Sequence, residues 1–207
     1  MAETSLTGRT LLTADEALAR LIAGNQRFVR GEARFPTVQK EILAELASGQ
    51  HPYATILGCS DSRVPPELIF DAGFGDLFIV RVAGNVISGE VMGTFQYAAL
   101  HLHTPLFVVL GHEGCGAVEA ALAVKHEGAQ MPSRIGLLME NILPGLARIS
   151  PGGDPAEQMG VAVEANVRWS IQQILDTPEA KARAGEGKMK IVGAVYELET
   201  GTVRFLR

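Results

Sequence analysis

Reactive side chains gather in two short stretches of this chain. Residues 56 to 66 read Ile-Leu-Gly-Cys-Ser-Asp-Ser-Arg-Val-Pro-Pro, and residues 111 to 116 read Gly-His-Glu-Gly-Cys-Gly. Cys59, Asp61 and Arg63 alternate with small residues, so in extended backbone their side chains lean to one side. His112 and Cys115 are three residues apart, close enough to bind one ion, and Cys59 and Cys115 are the only two cysteines. Two thiolates and one imidazole suit a zinc ion whose fourth position stays open, the arrangement that catalysis uses. That set of ligands is formally neutral and acidifies a bound water less than three histidines would, which gives Asp61 and Arg63 their importance. Asp61 either accepts a hydrogen bond from zinc-bound water or binds the metal as a fourth ligand and closes the site. Arg63 offers a planar fork that can hold the carboxylate off the metal.

Both stretches follow apolar runs that read as buried strands. Ala54 to Leu57 is short, partly β-branched and apolar on both faces, and Leu106 to Leu110 reads Leu-Phe-Val-Val-Leu. In parallel sheets ligands collect at the carboxyl ends of strands, where both clusters fall. Pro65 and Pro66 suit the first turn of a helix, because the N–H that proline lacks has no helical partner there. A third strand is expected from Asp76 to Val82, broken by Gly84-Asn85. Helices follow from about Ser88 to His103, with Met92, Phe95, Ala99 and Leu102 inward, and from Gly116 to about His126. The alternation predicts βαβ units and a right-handed, mainly parallel sheet. Further on, a helix spans Arg134 to Ile149 with an interruption at Pro144-Gly145, Pro151-Gly152-Gly153 is a loop, and a long helix spans Ala156 to Asp176. Lys181 to Lys188 reads as a polar link. Met189 to Leu198 is the last main strand, and Glu199-Thr200-Gly201 turns it into an edge strand at Val203 to Phe205.

Ahead of these lie a loose arm, residues 1 to 12, and two helices. The first starts with a capping box, Thr13 with Glu16, carries Leu18, Leu21, Ile22 and Val29 on its apolar face, and ends near Gly31. The second runs from about Thr37 to Ser48, with Val38, Ile42 and Leu46 on one side and Gly49 as its stop. These helices either cover the sheet or grip a second subunit.

A chain of 207 residues with 47% hydrophobic content is long enough for one domain with a substantial core. Within it, residues 1–50 form the arm and first helices, 51–130 the metal-site core and 131–207 the last helices and strands. Eighteen basic against 23 acidic residues and no basic run argue against nucleic acid and anionic lipid as partners. No apolar run approaches the roughly 20 residues that span a bilayer, and residues 1–10 lack the charged start and apolar centre of a signal peptide. A cytoplasmic location is expected, where two cysteines serve as ligands or nucleophiles more readily than as a disulfide.

Cys-Ser-Asp-Ser-Arg-Val-Pro followed by Gly-His-x-x-Cys-Gly resembles the β-class carbonic anhydrases. The resemblance extends to Phe-Ile-Val-Arg-Val-Ala-Gly-Asn from Phe78, to Tyr-Ala-Ala-Leu-His-Leu from Tyr97 and to the closing Gly-Ala-Val-Tyr-Glu-Leu-Glu-Thr-Gly. It implies an α/β fold with about four strands plus an edge strand, flanked by helices, the N-terminal ones extending onto a partner subunit. It implies one Zn2+ per chain on Cys59, His112 and Cys115, with Asp61 and Arg63 as the catalytic dyad. In the family's closed, bicarbonate-bound form an aspartate sits on zinc and a tryptophan lies near the first cysteine; Ile56 stands at that tryptophan's place. Gln50 lies nine residues before Cys59, as does the substrate-binding glutamine of the plant-like open group, and Phe78, Tyr97 and Gly116 also fall at that group's pocket positions. There the glutamine, phenylalanine and tyrosine come from the neighbouring subunit, which implies a homodimer or tetramer. Arg81-Val82-Ala83-Gly84-Asn85 departs from the plant-like Arg-Asn-Ile-Ala-Asn, and the following loop is shorter, so the pocket wall differs.

The expected activity is reversible hydration of carbon dioxide to bicarbonate by a zinc-bound hydroxide, since zinc lowers the pKa of its water toward about 7. Phe78, Ile56 and Tyr97 would line an apolar pocket, and Gln50 and the Gly116 N–H would donate to the oxygen where charge develops. No proton shuttle stands out: His51, His101, His103 and His126 are candidates by type alone. Rival readings are hydrolysis of carbon disulfide or carbonyl sulfide on the same scaffold, a thiol hydrolase with Cys59 as nucleophile and His112 as base, and a non-catalytic bicarbonate-binding module closed by Asp61.

Overall fold

Five strands lie in the order β2-β1-β3-β4-β5. They are β1 (Ala54–Gly58), β2 (Leu77–Arg81), β3 (Leu106–His112), β4 (Lys190–Tyr196) and β5 (Val203–Phe205). The first four are parallel and β5 pairs antiparallel to β4. The structure is a computed structural model and describes residues 12–34 and 40–207. The expected arm therefore lies, apart from Leu12, outside the described residues, as do Val38 and the expected start of the second helix.

Every residue of β1 and β3 is buried, which is why both read as unbroken apolar runs. On one face Ala54 and Ile56 of β1 meet Leu106, Val108 and Leu110 of β3, under Ala17 and Leu21 of α1 (Ala14–Val29), Ile69 of α3 (Pro66–Ile69) and Val118 and Ala121 of α5 (Gly116–Glu127). Ile142 of α6 (Ser133–Ile142) joins them. On the other face Leu57, Phe107 and Val109 pack under Val91, Phe95 and Ala98 of α4 (Gly89–Leu100) and Val167 and Ile174 of α7 (Pro155–Leu175). Gly111 of β3 sits so close to α7 that a Cβ there would stand 2.7 Å from Val167 Cγ2.

The capping box of α1 is present: Glu16 N–H donates to Thr13 Oγ1 and Thr13 N–H to Glu16 Oε2. Its buried face matches the expected one in part: Leu21 is buried and Leu18 packs against the core, but Ala17, Gly24 and Asn25 turn inward where Ile22 and Val29 stay exposed. Gly24 fits against the Phe70 carbonyl, where a Cβ would clash at 1.9 Å. Asn25 bonds the carbonyls of Ile69 and Gly201 and accepts from Val203 N–H, so a polar residue seams α1 to β5. Further helices are α2 (Lys40–Leu46), none of whose residues is buried, and α8 (Pro178–Gly185). α8 replaces the expected polar link: Thr177 caps it, Pro178 opens it, and Ala180 is its one buried residue. The expected helix to Ile149 becomes α6 followed by a 3-10 turn at Leu143–Leu146, where Pro144 supplies no N–H.

Candidate metal centre

After β2 the chain crosses over β1 to lay down β3 on its other side. The carboxyl ends of β1 and β3 therefore flank a topological switch point, where open α/β sheets form crevices. Cys59 follows β1 directly, His112 is the last residue of β3, and Cys115 is the residue before α5. All three are buried and their ligand atoms lie within 4.8 Å of one another. The sulfurs stand 4.0 Å apart; two sulfurs at about 2.3 Å from one tetrahedral zinc stand roughly 3.8 Å apart. His112 Nδ1 lies 2.8 Å from the Glu113 carbonyl, a partner that accepts only, so Nδ1 carries the proton and Nε2 a lone pair. That Nε2 is buried and has no hydrogen-bond partner among the described residues. An orphaned acceptor facing two thiols fits a soft cation such as zinc.

The thiols perturb each other. Cys59 is drawn below the ordinary thiol range, first by the sulfur–sulfur contact with Cys115, and Cys115 is pushed up by that same contact and by burial. The two sulfurs are thus coupled, the proton of one bearing on the acidity of the other. Gly84 N–H also donates to Cys59 Sγ, at 3.3 Å.

Asp61 and Arg63 meet, though not through extended backbone as expected. The chain leaves β1 at Gly58 and turns, with Val64 N–H donating to the Asp61 carbonyl, and the turn brings the side chains together. Arg63 Nε donates to Asp61 Oδ1 at 2.9 Å and Nη2 to Oδ2 at 2.7 Å, while the Arg63 N–H also donates to Oδ1. Held this way, Asp61 sits well below the usual carboxylate range, with Oδ2 4.0 Å from His112 Nε2.

The proposed pocket residues divide. Gly116 opens α5 beside Cys115 and is exposed. Ile56 faces the same side of the sheet as His112 but has no exposed surface, so in this chain it belongs to the core. Phe78 pairs in register with Thr55, near the amino end of the sheet and on the opposite face. It stacks on Tyr97 of α4, centroids 6.1 Å apart, and Tyr97 is 46% exposed. Gln50 is exposed and precedes β1, whose five residues alone span roughly 16 Å. Gln50, Phe78 and Tyr97 are thus not brought to this chain's own cluster.

Two contributors escaped the reading of the sequence. Arg81 closes β2 and donates from Nε to the Cys59 carbonyl and from Nη2 to the Asp61 carbonyl, clamping the loop that carries both. Gly84, read only as a strand breaker, supplies the amide on Cys59. Neither contact has a local signature, because each joins a side chain or amide to an atom more than 19 residues away.

An α/β protein with a two-thiol, one-imidazole centre at the switch point of an open sheet is the class defined by these features. Comparison with known proteins is specific. Residues 54–203 match the carbonic anhydrase family. Carbonic anhydrase 2 of Mycobacterium tuberculosis is 39% identical over 186 residues, 86% of each chain. The solved β-carbonic anhydrase CcaA is 28% identical and superimposes with a TM-score of 0.72 over 92% of this chain and 95% of its own. One of two tetrameric β-carbonic anhydrases from Sordaria macrospora, 21% identical, shares the fold with a TM-score of 0.74 over 91% and 96%. The chain belongs to the β-carbonic anhydrase family and is an enzyme of that kind.

Proposed function

We propose that this chain interconverts carbon dioxide and bicarbonate at one zinc ion held by Cys59, His112 and Cys115, with Asp61 and Arg63 orienting the attacking water. The observation that carries the reading is the buried cluster itself, two thiols and an imidazole whose Nε2 has no hydrogen-bond partner among the described residues. Zinc there supplies a Lewis acid that makes hydroxide available near neutral pH.

The remaining chemistry belongs to side chains. Both Asp61 oxygens are engaged by Arg63, so the carboxylate stays charged and is kept beside the cluster instead of within it. From there it accepts a hydrogen bond from the attacking water and turns a lone pair toward carbon dioxide. This supports the open form over a site sealed by Asp61. The Gly116 amide, at the start of α5 where helix N–H groups lack helical partners, donates to the substrate oxygen as charge builds.

The apolar wall and the second donor, Phe78, Tyr97 and Gln50, come on this reading from a second copy. The position of all three away from the cluster supports that, as does α2, which buries nothing in its own chain. Leu68 and Phe74, exposed at 48% and 62%, line a surface cavity of about 520 Å³ that holds none of the cluster residues. Self-association as a dimer or tetramer follows, as the tetrameric relatives illustrate. Among the described residues no helix is long and apolar enough to cross a membrane, and we place the protein in the cytoplasm.

Stopped-flow hydration of carbon dioxide, on protein whose zinc content is measured in the same sample, tests the proposal. Turnover is expected to scale with zinc up to one ion per chain. Zinc without hydration would move the assignment to sulfur analogues of carbon dioxide or to bicarbonate binding, and hydration by metal-free protein would overturn it.

A further inference from the structure

Helix α7 presses Ala162, Val163 and Val167 into the core, and among them stands an amide, Asn166, 1% exposed. Its Nδ2 donates to the Gly84 carbonyl at 2.8 Å, while its Oδ1 is buried without a partner among the described residues. Reversing the amide would set oxygen against oxygen, so Gly84 fixes its orientation. A half-satisfied buried amide is less favourable than an apolar residue would be at that place. Its retention points to the donor end. One turn along the helix, Ser170 Oγ donates to the Asn85 carbonyl at 3.0 Å.

Gly84 and Asn85 both hold positive φ, 68° and 45°. The turn is also closed from outside, since a Cβ on Gly84 would lie 2.8 Å from Ile142 Cδ1 and 3.1 Å from Ala117 Cβ. Pinned by α7 on one side and walled on the other, the turn aims the Gly84 N–H at Cys59 Sγ.

We propose that Asn166 is a positioning residue for the metal ligand Cys59, acting through the Gly84 amide. An N–H···S hydrogen bond draws electron density from the thiolate and fixes its direction, so it sets both how strongly Cys59 donates to a cation and where. The inference rests on Cys59 being a zinc ligand.

The test compares wild type with Asn166→Ala. Each is loaded with Co2+ to record the sulfur-to-cobalt charge-transfer band, and each is titrated with Zn2+ against a competing chelator. The band is expected to move to lower energy in Asn166→Ala as the sulfur loses its hydrogen bond, and zinc affinity to fall about tenfold. Ile174→Ala removes packing from the same helix far from Gly84, and is expected to lower stability with the band unmoved. If Asn166→Ala yields no folded protein, Ser170→Ala loosens the same turn and the band is expected to shift in it. A band unchanged in the folded Asn166 or Ser170 variant, or moved equally by Ile174→Ala, overturns the inference and leaves the zinc site standing. Wild type that binds neither metal overturns both.

Discussion

Two sulfurs stand 4.0 Å apart, buried beside an imidazole, and on the proposed reading one cation takes all three donors. Three donors are needed to hold the cation there. In Cys115→Ala, metal and hydration are expected to disappear together, read as zinc per chain after dialysis and as rate; an active, metal-free variant would contradict this. Arg63 acts one step further out. Arg63→Ala is expected to keep its zinc and lose roughly 10- to 100-fold in turnover, and Arg63→Lys is not expected to restore it, because a point charge cannot replace a two-pronged grip. The pH dependence follows from the sign of the Asp61 shift. Its carboxyl is depressed in the fold, chiefly by the Arg63 side chain. The pair therefore stabilises the fold above the unfolded value near about 4 and loses that contribution as pH falls through the depressed folded value. The difference in urea midpoint between wild type and Arg63→Ala is expected to stay constant from about pH 5 to 8 and to narrow only at more acid pH. Residue types and spacing made the Cys59, His112 and Cys115 cluster legible in the sequence, since both motifs follow apolar runs that read as strands. The Asp61 to Arg63 pairing was legible too, but by a different route: a turn makes it, where alternation implied extended backbone. Arg81, Gly84 and Asn166 were not legible, because their partners are backbone atoms or sulfur brought close only by the fold.

Elements legible from sequence are those whose stability comes from burial or from local caps. The apolar runs of β1 and β3 and the Thr13 box of α1 are of this kind. α8 was missed because one buried alanine leaves almost no apolar period to read. The inward face of α1 was only partly legible because small and polar residues share it with Leu21, Gly24 for closeness and Asn25 for hydrogen bonds, while Ile22 and Val29 stay outside. The junction of α1 with the turn after α3 rests on an ion pair that patterning could not show. Arg27 Nε donates to Asp71 Oδ2 at 2.6 Å, and the Asp71 side chain is fully buried. Removing Arg27 takes the guanidinium from a buried carboxylate that keeps its other contacts, the Arg34 N–H among them. Arg27→Ala is expected to lower unfolding free energy by about 3 kcal/mol, measured by urea denaturation, with zinc content unchanged in the folded fraction. A loss of a few tenths would show that the Arg34 N–H, which also donates to Asp71, suffices.

At the scale of the molecule, the sheet separates two sets of residues that the proposed reaction would use. The Cys59, His112 and Cys115 cluster lies at the carboxyl ends of β1 and β3, while Phe78 stacks on Tyr97 near the amino end and Gln50 precedes β1. On the proposal that a second copy supplies these three, defects at the two ends are complementary. Cys115→Ala mixed with Tyr97→Ala, each poorly active alone, is expected to regain activity after co-refolding, because hybrids carry one intact site; no recovery in verified hybrids would place the whole site in one chain. Turnover then also depends on concentration. Diluted below the dissociation constant of its dimer, the protein would keep its zinc and its fold yet fall silent, and in that regime output would grow with the square of the amount of protein made.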